Sequence, residues 1–367
     1  MPRKVKLFAA GLLLAVVGVC CAFLFSASAH AEDEDNWEPG DPYPPIAGKG
    51  WSIDADGVMR VENDAGWKDY LANGPGDWIW EYDDGILDER VQKLVIGKDV
   101  TTLSIYDPTH YNDDSMVEDV AQQLAYNAGI YKPYVSVAMQ DPKCMPPKIE
   151  VEKGNRVFTV QDGLLINNVK KSVVLSEIDV SDVIIPKGIQ SIEAWAFYYR
   201  DIKSVTFPAS LKVIGAAAFS LCGELTSVTL PNSLVKLETC AFRGCSSLSN
   251  VTLSSNLKTI EGMAFSSCPI EEITIPNGVE KIDFWVFCGC DALKKVHLPN
   301  TIQRIESYAF SGCDQLEGIN WPSSLNYIGY RAFENCTSWR VIILPNTLNR
   351  IGEEAFLGCE PILLQLP

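Results

Sequence analysis

The sequence predicts a solenoid of stacked, parallel, short β-strands with a period of 22 or 23 residues, closed at one end by a β-rich cap that carries one helix. Three markers recur in register through the second half of the chain: a proline, a phenylalanine, and a cysteine three residues after the phenylalanine. Because the register is shared by successive copies, each copy is one unit that buries its apolar face against the next. The markers are Pro186, Pro208, Pro231, Pro276, Pro299, Pro322, Pro345 and Pro367; Phe197, Phe219, Phe242, Phe265, Phe287, Phe310, Phe333 and Phe356; and Cys222, Cys245, Cys268, Cys290, Cys313, Cys336 and Cys359.

Residues 1–31 are predicted to be a signal peptide. Three basic residues precede the apolar run Leu7–Phe25, and the small residues after it offer cleavage behind Ala29 or Ala31. An uncleaved membrane anchor is the alternative, because the apolar run is close to the length that spans a bilayer. Both readings predict a protein that is secreted or held at the cell surface.

Residues 32–48 are predicted to be a linker. Residues 32–35 are all acidic, and Pro39, Pro42, Pro44 and Pro45 follow within the same stretch. Such a segment has little apolar surface to bury, so we expect an extended tether.

Residues 49–148 are predicted to form the N-terminal cap region. Trp51–Val61 has the pattern of a β-hairpin that turns at Asp54–Gly57. A calcium loop is the alternative, but an EF-hand would need Glu where Asn63 stands. Ser115–Glu118 is a capping box that opens a helix ending near Gly129, and we expect this helix to cover the open end of the solenoid.

The same region offers a second interpretation, a carbohydrate site. Its tryptophans and acids would suit a sugar-binding cleft, and four of the acids could supply the carboxylate pair of a glycosidase. The acidic residues do not have the sequence spacing of a known catalytic pair, and tryptophan side chains in such a region are more often buried in the protein core. The residues concerned are Trp51, Trp67, Trp78, Trp80, Asp83, Asp84, Asp88 and Glu89.

Residues 181–367 contain the regular repeats. In the unit that begins at Leu225, Val228 and Leu230 are expected to point inward, and Ser227 and Thr229 outward, because successive side chains of a strand alternate. The proline that follows ends the strand, since it has no N–H for a continuing ladder. The phenylalanines are expected to stack in one internal column. The L-x-x-L-x-L strand with this period is typical of a leucine-rich-repeat solenoid.

The full pattern, L-x-x-V-x-L-P-x-x-L-x-x-I-x-x-x-A-F-x-x-C, resembles the BspA-like leucine-rich repeats of bacterial surface proteins over residues 181–367. Within residues 149–180, the stretch Asn155–Ile166 resembles the irregular hairpin unit that such proteins place between regular repeats. Residues 51–58, with 95–100, resemble a degenerate opening segment of some members. The resemblance implies extracellular binding and adhesion and does not name a partner.

The cysteines are expected to be structural. Seven of the 12 occupy one equivalent inward position per repeat, so they should stack as a ladder of reduced, buried thiols. The spacing of about 4.8 Å between levels would permit disulfides, but parallel side-chain directions disfavour them. Cys288 and Cys290 are one residue short of a C-x-x-C motif, so we expect no metal there.

Charge and histidine content exclude several function classes. The chain carries 30 Lys and Arg against 47 Asp and Glu, a formal charge of −17, which disfavours nucleic acid as a partner. Only three histidines occur, which leaves little material for imidazole catalysis or a metal site. We therefore predict a protein that is not an enzyme and has no cofactor.

Two functions remain from the sequence. The first is an extracellular, non-enzymatic adhesion protein that binds host or neighbouring-cell proteins with the outward residues of its strands. The second is a carbohydrate binder or hydrolase with its active part in residues 49–148 and the repeats as a targeting arm. The predicted partner-binding residues are Glu272, Thr274, Lys295, His297, Asn320, Val341, Ile343 and Leu363. Their apolar members, near the last repeat, also predict self-association through the C-terminal end of the repeats.

Overall fold

The computed structural model describes residues 45–73, 91–103 and 148–365. The cap consists of β1 Ile46–Gly48, β2 Trp51–Ile53, β3 Val58–Asn63, α1 Asp64–Asn73, β4 Lys93–Asp99 and β5 Lys148–Val151. The strands form one sheet in chain order, in which β1, β2 and β3 pair antiparallel and β3, β4 and β5 pair parallel. The predicted linker extended to residue 48, but β1 already belongs to this sheet, because the chain can pair as soon as its last proline is passed.

The predicted hairpin is present, with Trp51 opposite Val61. The carboxylate of Asp54 accepts the backbone N–H groups of Asp56 and Val58 at 3.1 and 2.9 Å. Gly57 has a φ of 72°, a conformation that glycine adopts without strain. Asp54 therefore serves as the acceptor that closes a turn.

Helix α1 was not predicted. Asn63 caps its first turn by accepting the N–H of Gly66 at 3.0 Å. The ring of Tyr70 on the helix packs against Trp51 of β2 at a centroid distance of 5.1 Å and against Trp67 at 5.8 Å, and all three side chains are buried. These tryptophans are thus part of the cap core. The helix predicted from residue 115 to 129, Trp78, Trp80 and the acids from 83 to 89 lie outside the described residues.

The hairpin unit consists of β6 Phe158–Gln161, β7 Leu164–Asn167 and β8 Ser172–Ser176, paired antiparallel in that order. Strands β7 and β8 are buried along their whole length because they lie between two cores. Leu165 and Val174 face the cap core, whereas Leu164, Ile166 and Val173 face the core of the solenoid. The hairpin therefore covers the first turn of the solenoid.

Each repeat contributes a main strand and a shorter second strand on the opposite wall. The main strands are β9 Asp182–Ile184, β11 Ser204–Thr206, β13 Ser227–Thr229, β15 Asn250–Thr252, β17 Glu272–Thr274, β19 Lys295–His297, β21 Gly318–Ile319, β23 Val341–Ile343 and β25 Leu363–Gln365. The second strands are β10 Ser191–Ile192, β12 Val213–Ile214, β14 Lys236–Leu237, β16 Thr259–Ile260, β18 Lys281–Ile282, β20 Arg304–Ile305, β22 Tyr327–Ile328 and β24 Arg350–Ile351. Where neighbouring strands pair, they are parallel and one period apart, as between Val228 and Val251, which confirms the predicted solenoid.

The phenylalanines form the predicted internal column. From Phe197 to Phe333 they are fully buried, and consecutive rings lie 4.8 to 5.9 Å apart and nearly parallel. Ser254, in the repeat that lacks the proline, is buried and donates its hydroxyl to the carbonyl of Leu234 at 2.7 Å. Where the other repeats have the proline that ends the strand, this repeat therefore has a serine that forms a hydrogen bond to the preceding repeat.

Phe265→Ala is expected to lower the free energy of unfolding by about 3–5 kcal/mol, because it leaves a cavity between two stacked rings. Urea denaturation followed by circular dichroism measures this change. The exposed Thr229→Ala variant is the control and should stay within about 0.5 kcal/mol of the wild type. If Phe265→Ala lowered the free energy of unfolding no more than Thr229→Ala, the stacked phenylalanines would not be a main source of core stability.

Candidate functional site

The outward residues of the main strands form one continuous surface, here called the strand face. Val228 is buried while its neighbours Ser227 and Thr229 are exposed, and this alternation recurs along the array. All eight predicted partner-binding residues lie on the strand face and are exposed. The structure adds a level that the sequence analysis did not include, β9, whose Ile184 is 68% exposed.

The first half of the strand face is small and polar. It presents Ser, Asn and Thr side chains on β11, β13 and β15, and the hydroxyl of Ser204 donates to Asp182 at 2.6 Å. Threonine is favoured on any half-exposed strand, so strand propensity is enough to explain the polar residues in this half of the strand face.

Charged residues follow on β17 and β19. His297 and Glu272 lie 2.9 Å apart (Nε2 to Oε1), and Lys294 forms an ion pair with Glu271 at 3.3 Å. Lys295 has no carboxylate partner among the described residues. This cation is therefore available to an acid on another molecule.

Asn320 is engaged within the protein. Its amide oxygen accepts the N–H of Leu298 at 2.8 Å, and its amide nitrogen donates to the carbonyl of Leu298 at 2.7 Å. At other levels a backbone carbonyl accepts the equivalent N–H, as His297 does for Ile275. The Asn320 side chain therefore takes the place of a backbone hydrogen bond between strands where β21 ends. We expect its contribution to binding to be indirect.

A groove lies between β21 and β23, here called the Trp groove. It has a volume of about 300 Å³ and is lined by Glu317, Gly318, Ile319, Trp321, Trp339, Val341 and Ile343. Gly318 has no side chain to fill it, and the buried indole of Trp339 lies beneath, with its N–H bonded to the carbonyl of Val341 at 2.9 Å. Val341 and Ile343 were among the predicted partner-binding residues, whereas neither tryptophan was predicted to belong to the site.

The strand face becomes apolar beyond the groove. Val341 and Ile343 are each 49% exposed and Leu363 is 48% exposed, although ordinary solvated strands carry polar groups at such positions. Ile362, next to Leu363, is 83% exposed. The groove and these side chains together form an apolar patch on the strand face.

The cysteine ladder is a hydrogen-bonded element. Each of its seven thiols donates to the carbonyl of the phenylalanine one repeat earlier, at 3.0 to 3.3 Å, as Cys222 does to Phe197. All seven are free thiols in the structure. Burial raises the pKa of Cys222 to about 12 and also raises the pKa of Cys290.

Native protein treated with a thiol-reactive dye should therefore label at Cys359 and Cys288, which are half-buried, and not at the remaining ladder thiols. In guanidinium without reductant the ladder thiols should all label. Peptide mass spectrometry assigns the modified positions. If denaturation released no additional thiols, the ladder would be bridged by disulfides and this interpretation would be wrong.

Within residues 45–73, 91–103 and 148–365, no cluster of His, Cys, Asp and Glu side chains has the arrangement of a metal site. In the same residues no helix is long and apolar enough to cross a membrane.

Several solved structures are similar to this chain, and the three that follow are described as leucine-rich-repeat proteins. One from Bacteroides ovatus is 28% identical, with a TM-score of 0.43, over 55% of this chain and 60% of its own. One from T. pallidum is 25% identical, with a TM-score of 0.46, over 52% of this chain and 92% of its own. One from Eubacterium ventriosum is 14% identical, with a TM-score of 0.44, over 89% of this chain and 97% of its own. No curated protein matches the sequence.

The sequence pattern of the BspA type leucine-rich repeat region matches residues 169–294 and 259–365, in six copies. The two ranges overlap and together cover more than half of the chain, including the Phe column, the cysteine ladder and the strand face. The protein therefore belongs to the BspA-type leucine-rich-repeat family.

Proposed function

We propose that this protein is an exported, non-enzymatic adhesion protein that binds host or neighbouring-cell proteins with the strand face between β17 and β25. The observation that carries the proposal is the Trp groove with its apolar surroundings. A rigid sheet holds Val341, Ile343 and Leu363 in an exposed row beside a concave site, which is the arrangement of a binding hot spot.

The surroundings of this patch support the same proposal. Charged residues on β17 and β19 border it on one side, so an apolar centre lies beside a polar rim, as in protein–protein interfaces. The carbohydrate alternative has less support, because Trp51 and Trp67 are buried in the cap core and are withdrawn from stacking on a sugar.

Retention of proteins from a host-matrix fraction by the immobilised protein tests the proposal, with the retained species identified and their affinity measured by biolayer interferometry. Val341→Asp should weaken that affinity at least about tenfold, since it places a charge in the centre of the apolar row. Ser227→Asp, on the polar half of the same face, is the matched control and should bind as the wild type does. Equal binding by both variants would show that the apolar patch is not the binding surface.

Export gives a separate prediction. Mass spectrometry of protein recovered outside the cell should find an N-terminus at His30 or Glu32, because the small residues before these positions suit signal peptidase. A membrane-bound species that retains Met1 would contradict it.

A further inference from the structure

The backbone ladder of the main strands is interrupted at the Trp groove. Among the described residues no ladder joins β21 to β23, and the same is true between β11 and β13 and between β15 and β17. Where strands pair, the residue after the strand donates its N–H to the next repeat, as Ile275 does to the carbonyl of His297 at 2.9 Å. Trp321 occupies the position of Ile275, and within residues 148–365 no hydrogen bond joins its N–H or its carbonyl to another group. A backbone donor and a backbone acceptor are therefore open beside the groove.

The preceding repeat shows how the protein itself satisfies such a pair of groups. There the side-chain amide of Asn320 accepts the N–H of Leu298 at 2.8 Å and donates to the carbonyl of Leu298 at 2.7 Å. One 23-residue period later, Trp321 takes the position of Leu298, and Ile343 takes the position of Asn320. Isoleucine has no hydrogen-bonding side chain, so the amide that serves Leu298 has no counterpart at Trp321.

The Trp groove gives another molecule access to this position. Trp321 and Ile343 both line it, and Gly318 contributes no side chain to fill it. Its volume of about 300 Å³ is at the lower end of the range of small-ligand pockets, which suits one inserted side chain. The indole of Trp339 lies beneath Gly318 and closes the floor.

The charges around the groove balance each other. On β17 to β25 and the residue directly before each of these strands, every lysine or arginine has an acid on a neighbouring level. The pairs are Lys294 with Glu271 at 3.3 Å, Lys295 directly opposite Glu272, and Arg340 one period after Glu317. His297 also contacts Glu272, at 2.9 Å. This balance favours an occupant that is polar but uncharged.

A primary amide is the uncharged group that can repeat the contact of Asn320. Its oxygen and one of its N–H bonds lie on the same edge, so it can accept from and donate to a single residue. The trans amide of a peptide bond or of an N-acetylated sugar holds these two groups on opposite edges. Resting on the proposed function of the strand face, we infer that the Trp groove binds the side-chain amide of a glutamine or asparagine of the partner protein, paired with the N–H and the carbonyl of Trp321.

An NMR titration of the purified protein with N-acetylglutamine methylamide tests the inference. The backbone amide resonance of Trp321 and the indole N–H resonances of Trp321 and Trp339 report binding in the groove. The glutamine probe should bind at least about tenfold more tightly than the glutamate and methionine analogues, because it alone both accepts and donates on one edge. The alanine analogue, which carries the same backbone amides, and N-acetylglucosamine should leave Trp321 unshifted.

Two substitutions of one residue provide the matched variants. Ile343→Asn supplies within the chain the amide that Asn320 supplies one repeat earlier, so it should occupy Trp321 and abolish binding of the glutamine probe. Ile343→Thr carries no amide, and threonine already stands at the equivalent position 274, so this variant should bind the probe within about threefold of the wild type. Thermal unfolding verifies that both variants are folded.

Three results would overturn the inference: a glutamine probe that does not bind, equal binding of the glutamine and methionine probes, or unchanged binding by Ile343→Asn. Binding of N-acetylglucosamine as tight as that of the glutamine probe would assign the groove to a sugar and would also overturn it.

Retention of host-matrix proteins by Val341→Asp is measured separately. If this variant loses that retention while the glutamine probe does not bind the wild type, the inference fails and the proposed function stands. If the probe binds as expected while Val341→Asp retains host proteins as the wild type does, the proposed function fails and the amide site stands.

Discussion

Deleting residues 232–254, one 23-residue period, is expected to leave a shorter, folded solenoid that unfolds in one cooperative transition. Each repeat touches only its neighbours, so removing a whole unit restores equivalent contacts across the new junction. After the deletion Leu257 follows Pro231 at the distance that Leu234 does in the wild type, and both leucines are fully buried. Circular dichroism and thermal unfolding measure the result.

Deleting residues 232–243, about half a period, is the matched comparison. This change removes Phe242 and brings the main strand of one repeat against the turn of the next, so neither the strand pairs nor the ring column can form across the junction. The variant is expected to lose its cooperative transition. Equal loss of structure in both deletions would refute the stacking register.

The double variant Ile343→Asp with Leu363→Asp is expected to abolish retention of partner proteins, a loss of more than about a hundredfold in affinity. Both side chains are about half exposed, so charged replacements can remain in water in the free protein while they disrupt an apolar interface. The melting transition should stay nearly unchanged. Biolayer interferometry and differential scanning calorimetry measure the two quantities.

The control for this prediction is Thr206→Asp with Thr229→Asp, which adds the same two charges to the polar half of the strand face. This variant should retain its partners. Wild-type binding by the Ile343 and Leu363 double variant, or its simple unfolding, would exclude the apolar row as the interface.

The repeat geometry was predictable because its causes recur in the sequence. Phe242, Val228 and Cys245 each hold one position in a period, and stacking in register makes any position at that period share one environment. The thiol ladder shows the limit of this reasoning. Periodicity placed the cysteines inside, but their hydrogen bonds to phenylalanine carbonyls depend on the turn conformation around each ring.

The turns themselves could not be predicted. Each repeat places residues in the left-handed region two positions before and two after its phenylalanine, and many of them are not glycine, such as Met263 with φ 56° and Trp285 with φ 55°. Side chains of such varied size carry no common signature of that conformation. The repeated backbone hydrogen bonds between neighbouring repeats hold it, for example from Met263 to Phe284 and from Trp285 to Ser307.

Arg200 and helix α1 illustrate two further limits. Arg200 takes the first cysteine position, is 1% exposed, and donates to the hydroxyl of Ser176 at 3.3 Å, while burial lowers its pKa to about 10. The cysteine position is inward in the other repeats, but arginine is rarely buried, so its residue type gave no sign that Arg200 is buried as well. Helix α1 contains Gly66 and ends at Asn73, both poor helix formers, so tertiary packing of Trp67 and Tyr70 stabilises it instead of local propensity.

The Trp groove was missed for a related reason. The signal was present, because Trp321 and Trp339 replace aliphatic residues in an otherwise regular pattern. Its meaning depends on Gly318 lying above Trp339, a contact between neighbouring repeats that becomes visible only when the strands are in register.

Oxidative footprinting of the protein with and without a retained partner, mapped by mass spectrometry, tests most directly whether the strand face is the binding surface. Partner binding should protect Trp321, Val341 and Ile343, and should leave Thr229 on the polar half unchanged. Protection confined to residues 49–148, with the Trp groove still oxidised as in the free protein, would contradict the account and assign binding to the cap.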